Sequence, residues 1–234
     1  MATYTDYWKD KAKDAAVPGE EPQRFFIGKM FGLAHGGLTL DLGCGHGRVY
    51  PVIATFTSTI QGLDISEEAI SESKKHPYTE VSKGTAEETG LPSDYFDKVI
   101  AWGVYDMVEQ EQALLEENRI LKQSGLLLIT GKNTDYCLDD TEAVVAEKNA
   151  KAKGFPNHFT DVYGLIERIG EFGFVIEQAY GFKCRGDWAA MKYFPVDNKN
   201  KIPFYEFLLI VRKTGQPYFS GKSICSRESI VSKP

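Results

Sequence analysis

The sequence predicts an α/β fold built on a doubly wound, mostly parallel sheet of about seven strands, the last antiparallel, with helices on both faces. Three observations predict it. Short apolar strands alternate with amphipathic helical segments along most of the chain. The first strand runs into a turn with three alternating glycines, Asp41-Leu42-Gly43-Cys44-Gly45-His46-Gly47. The second strand ends in an acid, Asp64, and Ser66-Glu67-Glu68 follows as a helix start. At 234 residues and 42% hydrophobic content the chain can bury a sizeable core, so one domain with decorations accounts for its length.

Taken in order, a Pro/Gly/Glu-rich turn, Val17 to Pro22, precedes Phe26, Ile27, Met30 and Leu33, whose helical spacing predicts a helix packed on the sheet. Strand one is Leu38 to Leu42, and its helix starts near His46 to Arg48 and ends about Thr55. Strand two is Thr59 to Leu63, and Pro77 closes the helix after it. Strand three is short, Glu80 to Lys83, and strand four is Phe96 to Trp102. Ala113, Leu114, Ile120 and Leu121 mark the apolar face of the next helix. Gly125 to Gly131 is a continuous apolar run suited to a buried parallel strand.

Val162, Leu165, Ile166 and Ile169 fall at i, i+3, i+4 and i+7, with Thr160 as the expected N-cap, and lead to Gly173 and a strand Phe174 to Ile176. Phe204 to Val211 is the last strand. Asn133 to Asn157 and Gly181 to Pro203 fit none of these units. Connections of that length serve as lids or binding loops. The expected organisation is a single domain over residues 1–220, its first 36 residues an aromatic arm and a helix, with a polar tail at 221–234.

Composition narrows the function. A net charge of -6 gives no overall attraction to phosphate backbones or anionic membranes. Cys44, Cys137, Cys184 and Cys225 are too far apart for a zinc knuckle or a redox pair and read as free thiols. Met1 to Pro18 lacks the apolar core of a secretory signal, and no later stretch is long enough to span a bilayer. The expectation is a soluble, cytoplasmic protein that holds no metal.

The glycine turn carries the strongest functional signal. Glycines let the backbone bend tightly and leave no Cβ between it and a ligand. A helix starting at once after the turn would point unpaired amides at that ligand, favouring an anionic or strongly polar group. A dinucleotide-binding turn wants G-x-G-x-x-G, and here the position of its third glycine holds Arg48. The run Asp41 to Gly47 instead resembles the first motif of the class I S-adenosylmethionine-dependent methyltransferases, whose fold is Rossmann-like. Further ordered matches extend the resemblance to about Val211: Asp64, Gly84-Thr85-Ala86-Glu87, Leu91-Pro92 with Phe96-Asp97, Trp102-Gly103-Val104, and Arg119 to Gly125.

The resemblance implies S-adenosylmethionine as cofactor, held by Asp41, Gly43, Cys44, Gly45, Asp64, Ile65, Thr85, Ala86, Glu87, Trp102 and Gly103. Asp64 takes the place where the family binds both ribose hydroxyls, a task suited to a carboxylate that accepts two donors at once. Many relatives have Asp where this chain has Thr85, so Thr85, Glu87 and Glu88 are the candidates to accept the adenine amino group. Methyl transfer from a sulfonium needs mainly an aligned nucleophile, and a hydroxyl acceptor needs a base as well.

Asp106 and His158 are the candidate bases, and Tyr7, Tyr105 and Trp188 the candidate acceptor-side residues. The histidines that many small-molecule methyltransferases carry beside strand four are missing here. The implied reaction moves a methyl group to an O or N atom of a small-molecule or sugar-like acceptor. An NAD(P)-dependent oxidoreductase and a non-catalytic cofactor-binding partner protein are the alternatives. A nucleic-acid substrate is disfavoured by the charge and by the absence of an Asn-Pro-Pro-Tyr-like motif or a Pro-Cys nucleophile.

Overall fold

The computed structural model describes residues 20–152 and 158–217. Helix α1 (Glu20–Leu33) leads to β1 (Thr39–Leu42), the short α2 (Tyr50–Ile53), β2 (Ile60–Asp64), α3 (Glu67–Ser73), β3 (Glu80–Lys83) and β4 (Phe96–Ala101). A 3-10 turn (Tyr105–Met107) precedes α4 (Gln110–Ile120) and β5 (Leu121–Lys132). Then come α5 (Thr141–Ala152), α6 (Val162–Arg168), a second 3-10 turn (Ile169–Phe172), β6 (Phe174–Phe182), β7 (Tyr193–Pro195) and β8 (Glu206–Lys213). The sheet order is β3-β2-β1-β4-β5-β8-β6-β7. Strands β3, β2, β1, β4 and β5 are mutually parallel, and β8 runs antiparallel to both β5 and β6.

Alternation along the strands feeds two cores, one on each face. Leu127, Ile129, Leu209 and Val211 pack with α4 and α6, whereas Leu126, Leu128, Leu208 and Ile210 pack with α1 and α2. Phe26, Ile27 and Met30 of α1 are fully buried, as their spacing predicts. Each such side chain contributes about 1.5–3 kcal/mol by leaving water. Ser66 caps α3 by accepting the Ala69 amide (3.3 Å).

Five expectations are corrected. Glu20 to Pro22 form the first turn of α1 rather than a loop, which Pro tolerates because first-turn amides have no helical partner. The helix after β1 starts at Tyr50, not near His46. Asp161 caps α6 through the Gly164 amide (2.9 Å), while Thr160 is buried and donates to Gln110 Oε1 (3.0 Å). Strand β6 runs on to Phe182, because β8 offers a full-length partner. An eighth strand, β7, arises inside the Gly181 to Pro203 segment and pairs with the end of β6. The aromatic arm and the polar tail lie outside the described residues. Among those described, no helix is long and apolar enough to cross a membrane.

Candidate functional site

In an open parallel sheet, ligands bind outside the carboxyl ends of the strands where the strand order reverses, here between β1 and β4. Along that rim the chain places Thr85 after β3, Asp64 at the end of β2, the glycine turn after β1 and Gly103 after β4. The predicted cofactor residues are therefore brought side by side by topology alone.

Four of the turn's amides are paired within the protein. Gly43 and Cys44 both donate to the Leu63 carbonyl (2.8 and 3.0 Å), Gly47 donates to Cys44 O (2.9 Å), and Gly45 donates to Asp64 Oδ2 (2.9 Å). The helix begins three residues beyond Gly47 and is a single turn, which corrects the expected helix start, while the His46 and Arg48 amides make no hydrogen bond among the described residues. Gly45 has φ +54 and a Cβ there would meet nothing within 4 Å, so the backbone presents a bare, open surface. Gly47 is needed for a different reason, because a Cβ would stand 2.3 Å from the His76 ring packed beneath the loop.

Asp64 does two things. Its Oδ2 takes the Gly45 amide and its Oδ1 the Ser66 amide (2.9 Å), which locks the loop to the start of α3. An ionised carboxylate offers about four acceptor positions, so one on each oxygen remains. Ile65 beside it is 37% exposed, an apolar surface at the mouth of the site. Thr85 Oγ1 accepts the Glu88 amide (3.0 Å), Ala86 is buried, and Glu87 Oε1 accepts the Glu109 amide ahead of α4 (2.8 Å).

Asp41 lies below the loop. It is buried and accepts the Tyr78 hydroxyl (2.6 Å), and burial, partly offset by Tyr78 and Arg48, pushes its carboxyl up to about 7. Cys44 is buried as well, and burial followed by the charge of Asp41 raises its thiol far above its usual range. Arg48 is exposed, with a guanidinium nitrogen 3.4 Å from where a Gly103 Cβ would stand. Gly103 itself donates to Thr130 Oγ1 (2.8 Å), tying the end of β4 to β5.

On the β5 side a second cluster forms. Asp106 Oδ1 accepts the Lys132 amide (2.8 Å), and Lys132 Nζ reaches Asp106 Oδ2 (3.5 Å) and Glu147 Oε1 of α5 (3.0 Å). Tyr205 donates its hydroxyl to Glu147 and accepts from Arg185 Nη1 (3.2 Å). Asp140 Oδ1 accepts the Ala143 amide at the start of α5 and Oδ2 the Arg185 amide (2.7 Å), so the two long connections are stitched to each other. Burial raises the Asp106 carboxyl although Lys132 opposes it, while Asp106 and Glu147 overcome burial to raise Lys132.

His158 and Asp106 are adjacent, the His158 amide donating to Asp106 O (2.7 Å). His158 Nδ1 lies 2.9 Å from the Val108 carbonyl, which can only accept, so Nδ1 carries the proton and Nε2 is left bare.

Of the predicted acceptor-side residues, Tyr105 belongs to the core instead, and Trp188 is half-buried against its neighbours. Tyr105 is fully buried and bonded to Glu117, whose carboxyl burial pushes up to about 8; its alternating position after β4 turns it into the core. Trp188 stacks on Phe26 of α1 (5.4 Å) and meets Trp102 edge-on (4.9 Å), on the α1 side of the sheet. Tyr7 lies outside the described residues. Sequence reasoning missed Tyr78, His76, Lys132, Glu147 and Glu206. Lys132 and Glu206 were findable as strand ends at the carboxyl rim, but nothing local marks Glu147. Among the described residues no His, Cys, Asp and Glu group could hold a metal ion.

Comparison with known proteins agrees with this fold. Residues 40–129 match the family model of the methyltransferase domain. The fold matches an S-adenosylmethionine-dependent methyltransferase from Thermotoga maritima, described as a possible histamine N-methyltransferase, with TM-score 0.68, 19% identity, and coverage of 90% of this chain and 98% of that one. An Archaeoglobus fulgidus S-adenosylmethionine-dependent methyltransferase matches with TM-score 0.62 and 18% identity over 90% of this chain and 100% of its own. From Haloferax volcanii, a complex of the Trm112 methyltransferase activator with a methyltransferase-like protein matches with TM-score 0.64 and 16% identity over 92% and 100%. No curated protein matches the sequence significantly. The described chain has the fold of these S-adenosylmethionine-dependent methyltransferases.

Proposed function

We propose that this chain is an S-adenosylmethionine-dependent methyltransferase, a single cytoplasmic domain over residues 1–220 that methylates an O or N atom of a small-molecule or sugar-like acceptor. The carrying observation is the glycine turn, where Gly45 is open and Asp64, which takes the Gly45 and Ser66 amides, keeps an acceptor on each oxygen. A pyrophosphate is best held at the start of a full helix, and here the helix begins only at Tyr50 and is one turn long. A nucleoside without phosphates needs an apolar bed and a double acceptor for its ribose, which these residues supply. NAD is disfavoured accordingly.

In this reading Asp64 binds the ribose hydroxyls, Ile65 and Ala86 flank the adenine, and Thr85 and Glu87 border its amino edge. Asp41 and Cys44 support the loop from below. Gly43, Gly45, Trp102 and Gly103 bound the methionine side, where exposed Arg48 faces the carboxylate. S-adenosylmethionine supplies a methyl group already activated by its sulfonium charge, so the chain's task is to align the nucleophile and exclude water.

For a hydroxyl acceptor the bare Nε2 of His158 is the base, because Asp106 is committed to Lys132 and acts as a positioning residue. The test is calorimetry with S-adenosylmethionine, S-adenosylhomocysteine and NAD. Affinity for the first two and none for NAD is expected, and tight NAD binding alone would overturn the reading. Product formation from a methyl-labelled donor then separates an enzyme from a non-catalytic partner.

A further inference from the structure

Beside the S-adenosylmethionine site, and resting on that reading, the rim of β5 and β8 carries an acid with no hydrogen-bond or ion-pair partner among the described residues. Lys132, the last residue of β5, is directly paired in register with Glu206, the first residue of β8. Strand neighbours in register project to the same face, so both side chains stand at the carboxyl rim. Lys132 is committed to Asp106 and Glu147, and the Arg185 guanidinium bonds Tyr205. The Glu206 carboxylate makes no hydrogen bond or ion pair among the described residues, although it is largely desolvated.

We propose that the methyl acceptor is an amine that binds as an ammonium ion, with Glu206 as its counter-ion and Asp106 and Glu147 adding to the negative field. Charge supports this. The groups acting on Glu206 are Asp106, Lys132, Arg185 and Glu147, so the cluster holds three carboxylates against two cations. Burial first, and then Asp106, push the Glu206 carboxyl up to about 7 against the opposing charges of Lys132 and Arg185. Bringing a cation to it restores the balance and satisfies a desolvated acceptor in one step. A carboxylate ligand would meet the same surplus of negative charge with only the exposed Arg185 to oppose it.

Location supports it as well. Asp106 follows β4 three residues beyond Gly103, so the cluster adjoins the methionine side of the cofactor rim. Methylation requires the nitrogen lone pair. One ammonium proton passes to Glu206, the nitrogen pair forms the N–CH3 bond as the S–CH3 bond breaks with its pair staying on sulfur, and the methylated ammonium leaves. Glu206 then returns its proton to water, so one proton is released per turnover.

The experiment uses the full chain loaded with S-adenosylhomocysteine, whose own binding is measured first by calorimetry. Thermal shifts are then recorded with a series that varies charge on one scaffold, tyramine, tyrosol and 4-hydroxyphenylacetate, and with methylammonium and acetate as minimal probes. Stabilisation by tyramine and methylammonium is expected, lost in Glu206→Gln while S-adenosylhomocysteine affinity stays within about twofold of the parent. Glu206→Asp should recover part of the shift, which a merely structural role would not do. Stabilisation by the carboxylates instead, by none of the probes, or equally in Glu206→Gln overturns the proposal. Absence of S-adenosylhomocysteine binding in the parent chain would instead overturn the cofactor reading beneath it.

Discussion

At the rim of β3, β2, β1 and β4, almost every group that shapes the site sits in the loop directly after its strand. At the rim of β5 and β8, by contrast, the side chains come from five separate segments: Asp106, Lys132, Glu147, Arg185, and Tyr205 with Glu206. The first rim relies on backbone and glycine geometry, with one carboxylate holding two amides. The second relies on charges that must balance one another across the fold. On the proposed reading, the difference teaches that this architecture can keep one donor while changing its acceptor, since the groups of the second rim can be exchanged without touching the glycine turn.

The largest expected effect breaks the first rim. Gly45→Val places a β-branched side chain at φ +54, in the space the ligand requires, and should abolish measurable S-adenosylmethionine binding while the protein still folds with a lower melting temperature. Normal binding in the titration would remove the turn from the cofactor site.

Lys132→Met attacks the second rim. It leaves Asp106 and Glu147 without their shared cation in a partly buried setting, and denaturant unfolding should show a loss of about 2–3 kcal/mol. Cofactor affinity should be unchanged in the folded variant. A folded Lys132→Met that no longer binds S-adenosylmethionine would show that the two rims are not independent.

Asp64→Ala removes both the ribose acceptor and the brace between Gly45 and Ser66. Affinity should fall by about 1.5–3 kcal/mol, roughly 10- to 150-fold in calorimetry. The melting temperature should fall too, which a side chain facing only ligand would not cause.

Glu117→Gln tests a position beneath the two rims that belongs to neither. Burial raises the Glu117 carboxyl from 4.5 to about 8, so the folded state keeps a proton that the unfolded state releases. Its contribution is therefore fully present below about 4.5 and is lost as pH rises toward 8, at up to about 1.4 kcal/mol per pH unit. The neutral amide still accepts the Tyr105 hydroxyl. The variant should melt above the parent at pH 8 and close to it at pH 4.5, and identical curves at both would refute the burial argument.

Arg48→Met should give the smallest effect, about 1 kcal/mol or five- to tenfold weaker binding of S-adenosylmethionine, because Arg48 is exposed. Binding of 5′-methylthioadenosine, which lacks the amino acid, should not change. Equal losses for both ligands would make Arg48 a support for the loop and not a carboxylate partner.

Short-range pattern was enough for the parallel half of the sheet, for helices on both of its faces, and for the glycine turn, Asp64 and Gly103 as one candidate site. Period-2 and period-3.6 spacing and glycine positions are local, and a right-handed crossover leaves little choice in how successive units pack. Tertiary contacts decided the rest. Tyr105 reads as a rim residue but lies in the core bonded to Glu117, and the Gly43, Cys44 and Gly45 amides of the turn are taken by Leu63 and by Asp64. Trp188 reads as a lid residue but fills the space between Phe26 and Trp102. Glu147 meets Lys132 across α5, and Glu206 meets it only because β8 pairs antiparallel with β5. Electrostatic partnership depends on distance in space and on burial, and neither is written in the spacing of residues along the chain.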